Sequence, residues 1–519
     1  MFRNASQFQP ALSLFFLVFA TGDCIVITST CLRQILATME PELLLLLENT
    51  QSPVADTRHS AEHQLANLYR NPAFALSLAA VASYESVPTN LRQSALSVLR
   101  NLISTSWSPL LDDFEGQVLV SDDVKAQVRQ ILLELATANE TTEHKVKAAA
   151  SYAVSKIASA DFPDQWPQLL PSLLHIINNP SSSDSALRGA LRVLLDLVDV
   201  GFSEEQFFNV ACDLVSALFA VTTNESTRPI VKALALLVFH TSFDTLEMVL
   251  EQHRSAVKQF MDEILGQWSP FFITTLRAPL PQPPTEEEES KEGPVPSQWR
   301  GAIALKLQVV KVKLTPLISF PSADLPFKTL MKVRIVFPGL LATQSLVYFS
   351  ILSDELSALQ SVYDEFYIDN EHQGRLEDVD GLPYTLDFLV MDELDLMQSI
   401  VKAPPVKAEL QKQLQNAEVA GTMSTWLPEI MKLITTYGQI TSEDEGLWDV
   451  DVNLFLSEET SVTAHYEPRT GAADLIIKLG EWLKGAAAEA VLAHMSIVFA
   501  DSSSSYVSTS LPPFVYLLR

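Results

Sequence analysis

Two histidines stand at a spacing that can bind a metal ion. His59 and His63 are four residues apart, so on a helix both imidazoles would lie on one face. A zinc protease needs Glu directly after the first histidine, where this sequence has Ser60, and no third ligand follows at a suitable spacing. The pair therefore favours a polar helix face over a metal site, and we expect neither a metal nor a cofactor.

The sequence lacks the motifs of nucleotide hydrolysis and of acyl transfer. It has no GxxxxGKS/T loop to cradle a phosphate and no GxSxG turn to expose a nucleophilic serine. Its carboxylates occur in runs rather than in converging pairs. We therefore expect a protein that acts by binding and not an enzyme.

Acidic residues are concentrated in two stretches of the second half. Residues 364–395 contain eleven Asp and Glu against one Arg, and residues 443–459 contain seven against no Lys or Arg. Interspersed aromatic rings can stack on guanidinium groups, while the carboxylates attract basic segments. We expect a surface for a basic protein, and the alternative is an ordinary solvated surface. The candidate residues are Glu377, Asp378, Asp380, Asp392, Glu393, Asp395, Glu443, Asp444 and Glu445.

The overall charge agrees with a basic partner. The formal net charge is −28 over 519 residues, a sign that repels nucleic acid and anionic membranes. We therefore expect neither direct nucleic-acid binding nor membrane binding. The chain has three cysteines, too few for a disulfide framework, which favours a reducing compartment.

The elements that must position these residues are helices. From Met39 to about residue 280 the sequence is an almost unbroken series of amphipathic helical patterns. Six stretches carry a basic residue followed by apolar residues three and seven positions later. Those basic residues are Arg58, Arg92, Lys147, Arg188, Arg228 and Arg300.

Three of the five intervals between these residues lie between 34 and 41 residues. That is close to the period of a two-helix solenoid unit, roughly 40 residues. One helix pair cannot bury its own apolar face, so the pattern predicts pairs that stack into a continuous core. A single irregular helical domain is the alternative.

The stretch DFPDQWPQLL, residues 161–170, predicts a corner between two such pairs. Proline is tolerated in the first turn of a helix, because the amide it lacks would have no partner there. Apolar residues at helical spacing follow from Leu169 onward. We expect the chain to turn sharply and restart a helix here, with Trp166 packed over the corner.

Residues 91–103, LRQSALSVLRNLI, followed by Trp107, resemble the second repeat of the importin-β N-terminal domain. Arg100 stands where that repeat usually has Lys. Residues 145–158 and the corner at 161–170 are similar to the repeats that follow. The chain thus resembles the importin-β (karyopherin-β) family, and within it the importin-nine branch most. The resemblance implies an all-α fold, a right-handed superhelical solenoid of HEAT-type helix pairs.

The resemblance also implies partners. Members of this family shuttle between nucleus and cytoplasm through the nuclear pore, contact nuclear pore proteins, and release import cargo on binding GTP-bound Ran. Proteins of the importin-nine branch carry core histones and other basic cargo. The implied chain is a monomeric import receptor; the alternatives are an export receptor of the same family and a HEAT scaffold that does not bind Ran.

The Ran-binding candidates follow from the resemblance by position, since the family receives Ran on the inner helices of its first repeats. They lie on the second and third repeats. For Arg92 and Asn101 the alternative is a bond between neighbouring repeats, and for the lysines a solvated helix face. The candidates are Arg92, Arg100, Asn101, Lys145, Lys147 and Lys156.

Three regions are expected along the chain. Residues 1–38 form an N-terminal extension, either signal-like or translated from an upstream start codon. Residues 39–200 hold the importin-β N-terminal repeats with the Ran-binding region, and residues 201–519 hold further repeats with acidic loops at 281–296, 364–395 and 443–459. A strand-like run at 330–340 and a C-terminus without a capping repeat predict an incomplete or mis-spliced gene model.

Overall fold

The computed structural model describes residues 42–71, 73–115, 118, 120–139, 142–201, 204–284, 298–314, 344–370, 381–420, 426–460 and 467–502. Within these residues the regular secondary structure is helical, which confirms the expected all-α class. No helix of this part of the chain is long and apolar enough to cross a membrane. The extension 1–38, most of the loop 281–296 and the strand-like run 330–340 lie outside the described residues.

The chain divides into two compact units, residues 1–135 and 136–519. The helices of the first unit are α1 (42–49), α2 (Ala55–Leu68), α3 (Phe74–Ser83), α4 (Thr89–Ser106) and most of α5 (Asp122–Ala136). Helix α3 is buried around its whole circumference from Phe74 to Ala82. Helix α4 packs on α3 and buries Ala95, Leu99 and Ile103, which are spaced along one helical face.

The second unit continues the series of helices. Its shorter members come mostly from residues 404–460, and its longest is α10. The helices are α6 (His144–Asp161), α7 (Leu169–Asn178), α8 (Asp184–Gly201), α9 (Glu204–Thr223), α10 (Pro229–Arg277), α11 (Gln298–Leu314), α12 (Ser345–Tyr363), α13 (Leu386–Val401), α14 (Pro404–Ala420), α15 (Trp426–Tyr437), α16 (Ser442–Val450), α17 (Val452–Thr460), α18 (Pro468–Leu483) and α19 (Gly485–Ser502).

The helices of the second unit alternate between two layers. In the first layer, each helix contacts the next one in the order α6, α8, α10, α11, α13 and α18. In the second layer, the order of contact is α7, α9, α10, α12, α15 and α19. From α7 onward, these helices therefore pack on a partner in the other layer and on a neighbour in their own layer, while α6 packs on α8 of its own layer. This arrangement confirms the predicted HEAT-type helix pairs, which share one continuous core.

Helix α10 contributes to both layers because it folds back on itself. The rings of Phe239 and Trp268 are stacked with their centroids 4.1 Å apart. A straight helix would separate residues 29 positions apart by roughly 43 Å, at about 1.5 Å per residue. The beginning of α10 thus pairs with α9, and its end serves as the first helix of the following pair.

Five of the six repeated basic residues lie near the start of a helix, namely α2, α4, α6, α8 and α11, and Arg228 directly precedes α10. Arg58 donates to the Ser52 carbonyl at 3.1 Å, Arg92 to the Ala82 carbonyl at 2.7 Å, and Lys147 to the Asn139 carbonyl at 3.2 Å. Each acceptor belongs to the end of the preceding helix or to the connection just after it. Carbonyls at a helix end have no intrahelical partner, so these side chains satisfy acceptors that would otherwise need water.

The corner at 161–170 forms where it is predicted. Helix α6 ends at Asp161, the chain turns, and α7 begins at Leu169. The Asp161 carbonyl accepts bonds from the backbone amides of Gln165 and Trp166 at 2.8 and 2.9 Å, which closes the turn. Trp166 is 8% exposed and covers the corner, as expected.

Gly189 on α8 allows a close approach within the second unit. A Cβ atom at this position would lie 2.1 Å from the carbonyl oxygen of Ala136, a separation that nonbonded atoms do not adopt. Gly480 on α18, in contrast, has no atom within 4 Å of its added Cβ. The two glycines therefore occupy helices for different reasons, one required by packing and the other not.

We expect the two alanine substitutions to change stability in opposite directions. Gly480→Ala should raise the free energy of unfolding by about 0.5–1 kcal/mol, because Ala favours the helix over Gly. Gly189→Ala carries the same preference, but the displaced backbone at 136 should lower stability by about 1–3 kcal/mol. Urea midpoints of both variants test this, and shifts in the same direction would contradict it.

Candidate partner-binding surfaces

The two arginines predicted to bind Ran on α4 occupy different environments. Arg92 is 3% exposed, and its guanidinium binds the last turn of α3 through the Ala82 carbonyl. Arg100 and Asn101 are exposed further along the same helix. Arg92 therefore holds α3 and α4 together within one helix pair, whereas the alternative interpretation proposed a bond between neighbouring repeats. Arg100 and Asn101 are accessible to a partner.

The three candidate lysines lie on α6 in the second unit. Lys145 is exposed, whereas Lys147 is half-buried and donates to the Asn139 carbonyl and to the Ser185 hydroxyl of α8. Lys156 is half-buried. Lys147 thus links α6 to the next helix of its layer, and Lys145 and Lys156 are the candidates that can reach a partner.

The sequence-based candidates missed an aromatic residue on the same helix. Tyr152 is 53% exposed, seven positions after Lys145 and four before Lys156. Residues at these spacings lie on one face of a helix. The three side chains therefore form a basic and aromatic stripe along α6, in which Lys145 and Tyr152 are exposed and Lys156 is half-buried. Helical spacing from Lys145 could have identified Tyr152 in the sequence.

Three of the predicted cargo-binding acids are buried, which corrects the expectation that they face solvent. On α13, Asp392 is 7% exposed, Glu393 is fully buried and Asp395 is 8% exposed. Helices α11, α12, α14 and α18 all pack on α13 and cover these side chains. The three acids therefore belong to the packing between pairs, and Glu377, Asp378 and Asp380 lie outside the described residues.

The buried acids surround a lysine from the neighbouring pair. Lys306 on α11 forms an ion pair with Glu355 on α12 and donates to the Leu276 carbonyl, at the end of α10, at 2.9 Å. Glu393 lies beside Glu355, close enough for a hydrogen bond between the two carboxyl groups when one of them is protonated. One buried ammonium thus faces two buried carboxyl groups.

Burial raises the pKa of the Glu393 carboxyl well above its usual range, and the neighbouring Glu355 carboxyl raises it further. The pKa of Glu355 is also raised by burial, although Lys306 opposes the shift. Because a second buried carboxylate would be costly, the shift favours the protonated form of Glu393, while Glu355 pairs with Lys306. The cluster joins α10, α11, α12 and α13.

The acids of α16 are the ones that the structure places at the surface. Glu443 and Glu445 are exposed. Asp444 is half-buried, because it forms a capping box with Thr441 and lies 3.5 Å from the guanidinium of Arg469 on α18. Asp444 thus fixes the start of α16, and Glu443 and Glu445 are free to meet solvent or a partner.

The histidines with metal-ligand spacing make local contacts on α2. The Nδ1 atom of His59 lies 3.2 Å from a carboxyl oxygen of Glu62, and that of His63 lies 3.2 Å from the amide of Asn67. No group of three or more His, Cys, Asp or Glu side chains is placed to hold a metal ion in the part of the chain that the structure describes.

Comparison with known proteins first defines the class. In its fold the chain is similar to the exportin Cse1 in its cargo-free, cytoplasmic state, with a TM-score of 0.53 and 16% identity, over 89% of this chain and 44% of that one. Residues 61–138 match the importin-beta N-terminal domain, and residues 421–510 match the central HEAT repeats of importin-9. The chain thus has the HEAT-repeat fold, and two of its segments match models built from nuclear transport receptors.

Two yeast proteins are similar to most of the chain. The chain is 28% identical over 449 residues to importin subunit beta-5 of Schizosaccharomyces pombe, covering 85% of this chain and 41% of that protein. It is 26% identical over 445 residues to importin subunit beta-5 of Saccharomyces cerevisiae, covering 84% and 38%. These matches support an assignment to the importin-β family, whose transport receptors are non-enzymatic. The chain spans less than half the length of these two relatives.

The buried carboxyl of Glu393 predicts a specific pH dependence of stability. Its pKa is raised in the folded chain, so its contribution is fully present below the pKa of an unfolded glutamate, about 4.3, and is lost as pH rises toward the folded value. The free energy of unfolding should therefore fall by as much as about 1.4 kcal/mol per pH unit above about pH 5.

Glu393→Gln should remove this term, because glutamine resembles the protonated acid and does not titrate. We expect the variant to gain stability relative to the parent chain as pH increases, measured by urea midpoints between about pH 5 and 8. Glu443→Gln, at an exposed site, serves as the control and should keep the parental slope. Equal slopes for Glu393→Gln and the parent chain would show that Glu393 is ionised in the fold.

Proposed function

We propose that this protein is a nuclear import receptor that binds basic cargo such as core histones and releases it on binding GTP-bound Ran. The observation that carries the proposal is the match of residues 61–138 to the importin-beta N-terminal domain, together with two relatives named as importin subunits. Shuttling between nucleus and cytoplasm and contact with nuclear pore proteins belong to the same proposal.

In this proposal the exposed residues of α4 and α6 bind Ran. Arg100 and Asn101 are exposed on α4, and Lys145, Tyr152 and Lys156 share one face of α6. Exposed basic side chains steer association, while an exposed aromatic ring supplies apolar contact area at little entropic cost. The contribution of Arg92 and Lys147 is indirect, because both hold their helices in position.

Basic cargo binds at the acidic surface in the same proposal. Glu443 and Glu445 are exposed there, and Trp448 is 39% exposed on the same helix. Carboxylates attract lysine- and arginine-rich segments, and an aromatic face can stack on a guanidinium group. The acids at 377, 378 and 380 stay part of this surface as sequence-based candidates, whereas the buried acids of α13 are no longer part of it.

An export receptor is the second candidate function, favoured by the similarity of the fold to an exportin. The two directions differ in the sign of a thermodynamic linkage. GTP-bound Ran weakens cargo binding to an import receptor and strengthens cargo binding to an export receptor, and the coupling is reciprocal. A HEAT scaffold without Ran binding would show no coupling.

The sign of this coupling decides among the three. Fluorescence anisotropy of a labelled core-histone dimer bound to the full chain is followed while Ran locked in its GTP state is added. We expect the histone affinity to fall by at least about tenfold, the size of a typical allosteric coupling. Ran locked in its GDP state is the control. A rise in histone affinity would indicate export, and no change would overturn the proposed release by Ran.

Charge reversal tests the Ran surface, because the amount of GTP-bound Ran needed to displace the labelled histone dimer reports the affinity for Ran. Arg100→Glu with Lys145→Glu should weaken binding of GTP-bound Ran by at least about tenfold and leave the thermal midpoint unchanged, since both side chains are exposed. Glu443→Gln with Glu445→Gln should leave Ran binding intact. Wild-type Ran affinity in the charge-reversed variant would remove α4 and α6 from the Ran surface.

A further inference from the structure

Helices α16 and α17 form a hairpin that interrupts the alternation of the two layers. They stand between α15 and α18, which pack directly on one another. Asp451 alone separates the two helices, and its carboxylate accepts a bond from the Asn453 amide at 2.9 Å at the start of α17. The hairpin is therefore additional to the pairs that build the core of the second unit.

The base of this hairpin is firmly attached to the pairs beneath it. The Ser442 hydroxyl donates to the Ile368 carbonyl at 2.5 Å, at the end of the π-helical turn Asp364–Ile368 that follows α12. Phe455 is 2% exposed, with the Trp448 ring edge-on at 5.2 Å and the Arg469 guanidinium 6.0 Å from its ring centroid. These contacts hold the hairpin in one orientation.

The tip of the hairpin presents apolar side chains to solvent. Val450 is 85% exposed, Val452 42%, Leu456 41% and Trp448 39%. A single exposed apolar residue is ordinary on a protein surface, but a group of them on an anchored element marks an interaction site. Contacts at the base of the hairpin do not explain the two most exposed of these residues, Val450 and Val452, because that base is formed by Ser442, Trp448 and Phe455.

The hairpin itself carries acidic charges only, since residues 443–459 include no Lys or Arg. Asp449 and Asp451 are exposed at the tip, and Glu443 and Glu445 are exposed nearer the base. Carboxylates next to exposed apolar side chains complement a segment that carries both lysine or arginine and apolar residues. The acidic surroundings disfavour a nucleic acid or an anionic membrane as the occupant.

We propose that the tip of the α16–α17 hairpin, centred on Val450 and Val452, is the docking site for the apolar residues of a basic partner segment. The inference deepens the proposed function, on which it rests for the assignment of that partner as cargo. Carboxylates around the tip attract the segment and hold its cationic side chains. Val450 and Val452 distinguish a segment with apolar anchors from one that is only basic.

Two peptides and matched variants of the full chain test the docking site. The probes are a labelled amphipathic lysine–leucine peptide and an oligolysine of equal charge, measured by fluorescence anisotropy at about 0.15 M salt. Val450→Ser with Val452→Ser should weaken binding of the lysine–leucine peptide about tenfold or more and leave oligolysine binding unchanged. Leu110→Ser with Val118→Ser, at positions 73% and 41% exposed, is the matched control and should change neither.

Glu443→Gln with Glu445→Gln and Asp449→Asn should weaken both peptides and flatten the salt dependence of binding. Wild-type affinity of the Val450→Ser, Val452→Ser variant for the lysine–leucine peptide would overturn the docking site. An equal loss of affinity for both peptides would also overturn it, because the valines would then not bind the apolar side chains of the lysine–leucine peptide. Failure of Ran to displace histone, with the peptide results as expected, would refute the proposed import function and leave the docking site in place.

Discussion

The structure depends on one packing constraint: a pair of helices cannot bury its own apolar face. Each pair must therefore cover the next, and the core runs through the stack instead of closing within one domain. Helix α3, buried from Phe74 to Ala82, shows the result in the first unit. In the second unit, the helices of the two layers from α7 onward show it by packing both on a pair partner and on a neighbour in their own layer. The surfaces discussed above are what this packing leaves uncovered.

Basic residues serve two purposes on these helices, and their position along the helix decides which. At the start of α2, α4 and α6 the side chains of Arg58, Arg92 and Lys147 bind carbonyls at or just after the end of the preceding helix. A charged donor to an otherwise unpaired carbonyl forms a strong hydrogen bond. Further along α4, Arg100 is exposed. When residues are assigned from a family resemblance by position alone, basic residues that hold two helices together are not distinguished from basic residues that are exposed to a partner.

Much of the fold could be predicted from the sequence because its signals are local. The spacing of Arg92, Ala95 and Leu99 indicates a helix with one buried face, and the prolines and Trp166 of the corner indicate where the chain turns. The interior of α13 could not be predicted in this way. Its acids resemble a solvated run in the sequence, and only the packing of α11 and α12 brings Lys306 and Glu355 to Glu393.

Two other features also depend on contacts between distant residues. The backward fold of α10 rests on the stacking of Phe239 and Trp268, which no local pattern indicates. The α16–α17 hairpin combines acids and apolar residues that the sequence shows together, but their exposure follows from the anchoring of Ser442 and Phe455 to neighbouring elements. The sequence therefore predicts which acidic and apolar residues the candidate site contains, but it does not predict which of them are accessible to a partner.

Hydrogen–deuterium exchange of the full chain, with and without Ran locked in its GTP state, tests the central claim most directly. The account predicts slower exchange on Ran binding in peptides that cover the exposed face of α4 around Arg100 and the stripe of α6 from Lys145 to Lys156. Unchanged exchange in both helices, with Ran present at saturating concentration, would contradict it.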